Sequence, residues 1–174
     1  MGADREAGAQ PSAKPDAGPH HAAEMTEDWS DLLLALLAAH ARFIVVGAHA
    51  MAVHGVPRAT QDLDVWIEAT TGNADRVWRA LVDFGAPLPD LDITPADFNR
   101  PGTVIQLGMP PNRIDILTEI SGVPDFDAAW NDRVEHEIEG RSIPFLGLDA
   151  LITNKRAAGR LKDLADIEAL GETP

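Results

Sequence analysis

The stretch FIVVGAHAMAVHGVPRATQDLDVWIE, residues 43–68, restricts the possible folds more than any other part of the chain. The apolar, largely β-branched run 43–46 predicts a buried strand that ends at Gly47, and the small and helix-tolerant side chains of residues 48–54 predict a short helix. Residues 62–68 alternate between polar and apolar side chains, which is typical of a second strand. A strand, a helix and another strand in such quick succession indicate a sheet with helices packed on it.

Segments of the same two kinds make up most of the remaining chain. Helices are predicted for TEDWSDLLLALLAAHA, with Thr26 or Ser30 as the capping residue, for NADRVWRALVDFG, for DFDAAW, and for GLDALITNKRAAGRL with KDLADIEAL. Strands are predicted for GTVIQLG and NRIDILT, and for RVEHEIEG and RSIPFL as a hairpin around Gly140. The order of these segments predicts an α+β fold, in which a mixed β-sheet is flanked by helices.

Residues 1–25 differ in composition from the rest of the chain. They contain no Val, Ile, Leu, Phe or Trp and are rich in Ala, Gly, Pro and charged residues. Such a segment cannot bury enough apolar surface to offset the conformational entropy that is lost on ordering. The sequence therefore predicts a disordered tail over residues 1–25 and a single domain over residues 26–174.

The composition disfavours several classes of protein. A net charge of -14 opposes non-specific binding to a polyanion, although Lys155, Arg156, Arg160 and Lys162 form a local basic group. No apolar run approaches the ~20 residues that span a bilayer, so we expect no membrane partner. The absence of cysteine excludes disulfide and thiolate chemistry and fits a reducing compartment. We therefore expect a cytoplasmic protein.

Three carboxylates are the strongest candidates for a site. Asp62 and Asp64 are two residues apart on a predicted strand, so their side chains lie on the same face. Asp115 lies between Ile114 and Ile116 and points away from the face that they bury. If the two strands are neighbours, all three acids converge. Hard oxygen ligands of this kind suit Mg²⁺ or Mn²⁺, which substrate phosphates then help to coordinate. Two such ions ~4 Å apart promote in-line displacement at phosphorus, which indicates nucleotidyl or phosphoryl transfer.

Other residues are candidates for binding phosphate groups. The small residues Gly47 and Ala48 allow backbone N–H groups to approach a phosphate at the start of the following helix. Arg58 and Thr60 precede the acids and offer a guanidinium and a hydroxyl donor. Lys155, on a predicted helix, offers a point charge for a triphosphate.

The segments VGAHAMAVHGVPRATQDLDV, RIDIL and LDALITNKRAAGRLKDLADIEAL together resemble the AbiEii-type nucleotidyltransferases of the DNA polymerase beta superfamily. That family includes toxins of toxin–antitoxin and abortive-infection systems, and the resemblance covers roughly residues 30–170. It implies a nucleotidyltransferase-like domain that moves a nucleoside monophosphate from a nucleoside triphosphate, such as ATP, to an acceptor hydroxyl. It also implies Mg²⁺ or Mn²⁺ as cofactor and, for a toxin, an antitoxin protein as partner.

The resemblance implies roles for single residues as well. Asp62 and Asp64 would bind the metal ion, and Asp115 would complete the metal site or act as base toward the acceptor hydroxyl. Gly47 would contact the phosphates. The family's second small residue is commonly Gly or Ser, whereas this chain has Ala48, which keeps the backbone donor but offers no side-chain hydroxyl.

Simpler interpretations of the same residues remain open at this stage. An isolated Asp-x-Asp at the start of a strand is often a solvated or turn-capping pair. Arg58 is also compatible with a surface position that binds no ligand. The basic residues at 155–162 alternate with acids at helical spacing, so they are also typical of a solvated face with intrahelical ion pairs. In that case Asp163 is a helix cap or a pairing partner.

Alternative functions also remain open. One is a small-molecule nucleotidyltransferase of the aminoglycoside-modifying type, and another is a nucleotide-binding or regulatory module with the same fold and no turnover. A nucleotide-sugar transferase is disfavoured because barely one helix and one strand precede Asp62, too little for a long nucleotide-binding sheet. An aspartyl-phosphate phosphatase is disfavoured because PRATQ, and not an apolar strand, directly precedes Asp62. The acceptor is RNA such as tRNA, a protein, or a cationic small molecule. The family resemblance favours RNA, whereas the acidity of the chain favours the other two.

Overall fold

The computed structural model of this chain describes residues 25–174. The predicted disordered tail therefore falls, apart from Met25, outside the described residues. The described part contains six helices and six strands, together with short 3₁₀ turns at Pro89–Leu91 and Pro95–Asn99. The helices are α1 Glu27–Ala38, α2 Gly47–Val53, α3 Thr71–Phe84, α4 Phe126–Asn131, α5 Leu148–Ala158 and α6 Leu161–Ala169. The strands are β1 Phe43–Val46, β2 Asp62–Ile67, β3 Val104–Leu107, β4 Arg113–Leu117, β5 Val134–Ile138 and β6 Arg141–Phe145.

The strands form one mixed sheet in the order β3-β4-β2-β1-β6-β5. Strand β2 is parallel to β4 and β1 is parallel to β6, whereas the remaining neighbours are antiparallel. Helices flank this sheet, so the predicted α+β fold is confirmed. The parallel pairing of β2 with β4 is the feature that matters most for the site, because it joins the two strands that carry the candidate acids.

Helix α1 supplies a large part of the apolar core. Its side chains Trp29, Leu32, Leu33 and Leu36 are at most 1% exposed, and burial of each such side chain contributes roughly 1.5–3 kcal/mol. Thr26 is the N-cap residue, because its Oγ1 accepts a hydrogen bond from the backbone N–H of Trp29 at 3.3 Å. The helix packs against α3, and these side chains join the same apolar core as the buried residues of β1 and β2.

Strand β2 divides its side chains between the two faces of the sheet. Leu63 and Val65 point into the core and are fully buried, whereas Asp62 and Asp64 lie on the opposite face. Trp66 shares the face of the acids but is only 2% exposed, because it packs against Phe126 of α4. One face of β2 is therefore acidic at its start and aromatic at its end.

No helix in the described range 25–174 combines the length and the apolarity needed to cross a membrane.

Candidate active site

The parallel register of β2 and β4 brings the candidate acids together. Asp64 lies opposite Asp115, and Asp62 lies opposite Arg113. Each of the three aspartates offers a carboxylate oxygen, and these oxygens all lie within 4.8 Å of one another. The two strands are neighbours, and the three side chains converge as predicted from the sequence.

The surroundings of the acids penalise their negative charges. Burial, together with the charges of Asp62 and Asp115, raises the pKa of Asp64 from 3.8 to about 6. Burial also raises the pKa of Asp115, whose Oδ1 is buried and has no hydrogen-bond partner among the described residues. Three carboxylates that repel one another, one of them with an unpartnered buried oxygen, fit a hard divalent cation.

Arg113 is the one cation in direct contact with these acids within residues 25–174, and the sequence argument did not identify it. Its Nη2 donates to Oδ2 of Asp62 at 2.6 Å and to Oδ2 of Asp115 at 3.2 Å. A signal for this contact was present, since Arg113 is two residues before Asp115 on the same strand. The alternation that placed Asp62 beside Asp64 also places Arg113 beside Asp115.

Gly47 packs directly against the carboxylate of Asp64. Its backbone has φ +66°, and a Cβ added there would lie 2.2 Å from Oδ2 of Asp64. A side chain at this position would displace the carboxylate, and the positive φ also favours glycine in the turn between β1 and α2. Ala48, the next residue, is 4% exposed. Both residues line the same cleft as the acids, and their contact with phosphate groups stays a prediction.

Two of the predicted phosphate-binding side chains already have partners in the protein. The hydroxyl of Thr60 donates to Oδ1 of Asp62 at 2.7 Å, so it orients an acid. The guanidinium of Arg58 lies 3.3 Å from Oδ2 of Asp166 on α6. Both side chains line the cleft, and their contact with phosphate groups stays a prediction.

Lys155 is held in a buried ion-pair group between α5 and α6. It is 3% exposed, and its Nζ lies 3.2 Å from Oδ1 of Asp163 and 2.7 Å from Oδ2 of Asp166. The interpretation of this residue as part of a solvated face with intrahelical pairs is therefore wrong, because its partners lie on the next helix. Its predicted contact with a triphosphate remains untested.

Asp163 has both of the structural roles proposed for it. It is the N3 residue of α6, and its Oδ2 accepts hydrogen bonds from the backbone N–H of Arg160, the N-cap residue, at 3.2 Å and from Nε of Arg160 at 2.6 Å. Burial opposes ionisation of this carboxyl, but the hydrogen bonds from Arg160 and Lys155 outweigh it and lower the pKa of Asp163. The acid stays ionised and anchors Lys155.

All eight predicted site residues line one cleft of about 560 Å³. The cleft also contains polar residues that the sequence argument did not assign to a site: Arg113, Glu119, Ser121, Asn154, Arg160 and Lys162. Arg160 and Lys162 are exposed at its rim. The cleft thus places basic side chains near the acids, an arrangement that suits a polyphosphate bound through metal ions.

Comparison with known proteins supports the fold, although the sequence identity is low. A scan of protein-family models and a search of curated proteins both find no match to this chain. The structure is similar to the crystal structure of a "putative nucleotidyltransferase" from Thermotoga maritima, with a TM-score of 0.52 and 16% sequence identity. The similarity covers 88% of this chain and 96% of that chain. The fold is nucleotidyltransferase-like. Because the identity is low, the chemistry is inferred from the residues of this chain.

Proposed function

We propose that this protein is a metal-dependent nucleotidyltransferase that uses a nucleoside triphosphate. The observation that carries this proposal is the cluster of Asp62, Asp64 and Asp115, whose oxygens lie within 4.8 Å of one another in a cleft that also holds basic side chains. A solvated or turn-capping pair does not require a third acid at the same place. The nucleotidyltransferase-like fold supports the same conclusion.

The three aspartates would hold Mg²⁺ or Mn²⁺, which supplies charge neutralisation at the phosphates when bound. Thr60 and Arg113 orient Asp62, and Gly47 leaves the space that the carboxylate of Asp64 occupies.

In the proposed reaction, the acceptor hydroxyl oxygen forms a bond to the α-phosphorus of the nucleotide. The bond from that phosphorus to the oxygen that bridges it to the β-phosphorus breaks, and pyrophosphate leaves. Asp115 accepts the hydroxyl proton, a role that its buried, unpartnered Oδ1 supports.

The triphosphate binds toward the basic side of the cleft. Arg58, Arg160 and Lys162 line this side together with the backbone of Gly47 and Ala48, and a guanidinium is well suited to phosphate oxygens. Lys155 acts mainly through its pairs with Asp163 and Asp166. By fixing α6 against α5 it positions Arg160 at the rim.

The resemblance to AbiEii-type nucleotidyltransferases supports a more specific proposal. In this form the protein is a cytoplasmic toxin that transfers the nucleotide of ATP or another triphosphate to RNA such as tRNA, or to a protein, and an antitoxin is its partner. The alternative acceptor is a cationic small molecule.

A transfer assay tests the proposed function. The protein is incubated with Mg²⁺ and each of the four α-³²P-labelled nucleoside triphosphates, over total tRNA, total protein and a panel of hydroxylated amines. We expect label to move to one acceptor class, and Asp64→Asn to abolish the transfer. The exposed Asp75 on α3 provides the matched control, because Asp75→Asn should retain full transfer. Transfer that persists in Asp64→Asn would contradict the proposal.

Calorimetry distinguishes the enzyme from a nucleotide-binding module without turnover. For the enzyme we expect nucleotide affinity to depend on Mg²⁺ and to fall in Asp64→Asn. Metal-independent nucleotide binding that is equal in both proteins, with no labelled product, would favour the module.

A further inference from the structure

A second pocket adjoins the cleft along the same face of the sheet. Its volume is about 630 Å³, which is within the range of small-molecule sites. Trp66 lines this pocket and follows Asp64 by two positions on β2, so the two Cα atoms are only about 7 Å apart. Glu119 and Ile120 line both the cleft and the second pocket. A molecule in the second pocket is therefore within reach of the acids.

A tight turn forms the wall between the two pockets, and α5 holds it in place. Ile120 forms a β-bridge with Val123, and Nδ2 of Asn154 donates to the backbone oxygen of Ser121 at 2.9 Å. Gly122 packs so closely on α5 that a Cβ added to it would lie 2.6 Å from Cβ of Ala157. These contacts hold the wall, and with it Glu119 and Ile120, in a fixed position between the two pockets.

The lining of the second pocket is mostly apolar. Trp66 and Phe126 pack edge to face with ring centroids 4.9 Å apart, and Pro124 and Val123 add further apolar surface. The indole Nε1 of Trp66 donates to the backbone oxygen of Thr118 at 3.3 Å, so this polar atom is already used. Glu119 is the single charged side chain among the described residues that line this pocket.

The charges are divided along the groove that the cleft and the second pocket form together. The basic residues Arg58, Arg160 and Lys162 line the cleft alone, whereas Glu119 lines both the cleft and the second pocket. A triphosphate is attracted to the basic end and repelled from Glu119. A polyanionic acceptor would need cations to hold the phosphates next to its reacting hydroxyl, and no Lys or Arg of the described chain lines the second pocket.

We propose that the second pocket binds the acceptor, and that this acceptor is a small hydroxylated amine with an apolar ring. Its ring lies against Phe126 and Val123, its ammonium group pairs with Glu119, and its hydroxyl reaches the α-phosphorus beside Asp115. The proposal rests on the proposed function for the role of the hydroxyl, but the binding of the amine can be measured without any transfer.

Three compounds with the same phenyl ring and benzylic hydroxyl test the charge preference. They are 2-amino-1-phenylethanol, which is a cation at neutral pH, the neutral 1-phenyl-1,2-ethanediol, and the anion mandelate. Binding to the full chain with Mg²⁺ and a non-hydrolysable triphosphate is measured by saturation-transfer NMR titration. We expect the amine to bind at least about fivefold more tightly than the diol and mandelate not to bind.

Two variants locate the binding. Glu119→Gln should weaken binding of the amine to the level of the diol and leave the diol unchanged, while Glu137→Gln, at an exposed position on β5, should change neither. Ala69→Trp, which fills the second pocket at a half-buried lining position, should abolish binding of both compounds and leave nucleotide affinity unchanged. Equal binding of all three compounds, or amine binding that survives both Glu119→Gln and Ala69→Trp, would overturn the proposal.

The outcomes separate this proposal from the proposed function. Amine binding that depends on Glu119, without transfer to any acceptor, would support the pocket and count against the enzyme. Transfer of label to tRNA that Glu119→Gln and Ala69→Trp leave unchanged, with no amine binding, would support the enzyme and overturn the acceptor pocket.

Discussion

Nη2 of Arg113 lies 2.6 Å from Oδ2 of Asp62, the residue that faces it across the parallel β2–β4 pair. The same guanidinium reaches Asp115 at 3.2 Å. It therefore stands where a divalent cation would bind these carboxylates, and the two positive charges compete for the same oxygens.

Replacing Arg113 should have opposite effects on metal affinity and on stability. In Arg113→Gln, we expect Mn²⁺ to bind the nucleotide-free protein about fivefold to tenfold more tightly, because a competing cation is lost. The free energy of unfolding of the metal-free protein should fall by about 1–2 kcal/mol, because the acids lose their counter-charge. Calorimetry with Mn²⁺ and urea unfolding measure the two effects. Arg141→Gln, at an exposed position on β6, is the control, and unchanged or weaker Mn²⁺ binding in Arg113→Gln would show that the guanidinium does not compete.

Asp64→Asn should raise stability while it removes activity. Because burial and neighbouring charges raise the pKa of Asp64 to about 6, its ionised form destabilises the metal-free protein at pH 7.5. The neutral amide should raise the free energy of unfolding by about 1–3 kcal/mol, which corresponds to several degrees in Tm for a domain of this size. Thermal unfolding in EDTA checks this, with Asp75→Asn as the control. A lower Tm for Asp64→Asn would contradict the repulsion among the three acids.

The same pKa shift predicts how stability depends on pH. Between the ordinary pKa of 3.8 and the folded value of about 6, the folded protein binds more protons at Asp64 than the unfolded chain does. The contribution of this residue to the free energy of unfolding therefore falls as pH rises through that window. The raised pKa of Asp115 acts in the same direction. Urea unfolding in EDTA at several pH values should show a fall in the free energy of unfolding that Asp64→Asn reduces. In a separate series without EDTA, added Mg²⁺ should stabilise the wild type most above pH 6. An identical pH profile for both proteins would refute the assignment.

Gly47→Ala should displace the carboxylate of Asp64. The added Cβ would lie 2.2 Å from its Oδ2, and the backbone has φ +66°, so strain of about 1–2 kcal/mol adds to the clash. We expect loss of Mn²⁺ binding and of transfer. Gly55→Ala separates the two causes, since Gly55 has φ +89° but nothing within 4 Å of the added Cβ. It should lower Tm and keep metal binding. Normal Mn²⁺ affinity in Gly47→Ala would show that Asp64 is not held by this contact.

Lys155→Met should be strongly destabilising. It removes the buried cation that contacts both Asp163 and Asp166. Because Arg160 and Arg58 still contact these acids, we expect a loss near the lower end of the about 3–5 kcal/mol that breaking a buried ion pair costs. Lys162→Met, at an exposed position, should change the free energy of unfolding by no more than about 0.5 kcal/mol. Urea unfolding at neutral pH measures both variants. Equal small effects would mean that the buried group contributes little to stability.

The order of the elements and the meeting of the acids could be predicted because both follow from local rules. The β-branched run of β1, the alternation in β2 and the glycine stops determine elements, and side-chain alternation places Asp62, Asp64 and Asp115 on the same faces of their strands. The pairing of β2 with β4 had to be assumed, since the sequence of neither strand determines which strand it pairs with.

The partners of the basic residues could not be predicted in the same way. Helical spacing relates residues within one helix, whereas Lys155 pairs with Asp163 and Asp166 beyond the break at Gly159, which ends α5. Arg58 likewise reaches Asp166 across the fold. These contacts depend on the angle at which α6 packs against α5, and the pattern of charges along the sequence does not determine that angle.

Because of the parallel β2–β4 register, binding of Mn²⁺ should report whether these two strands have paired correctly. Asp62 and Arg113 are 51 positions apart along the chain, so a nascent or truncated chain that ends before β4 has only two of the three acids of the cluster. A shift of one residue between the strands would turn Asp115 toward the core. During refolding, the ability to capture Mn²⁺ should therefore appear only when this distant strand pair has locked into its native alignment.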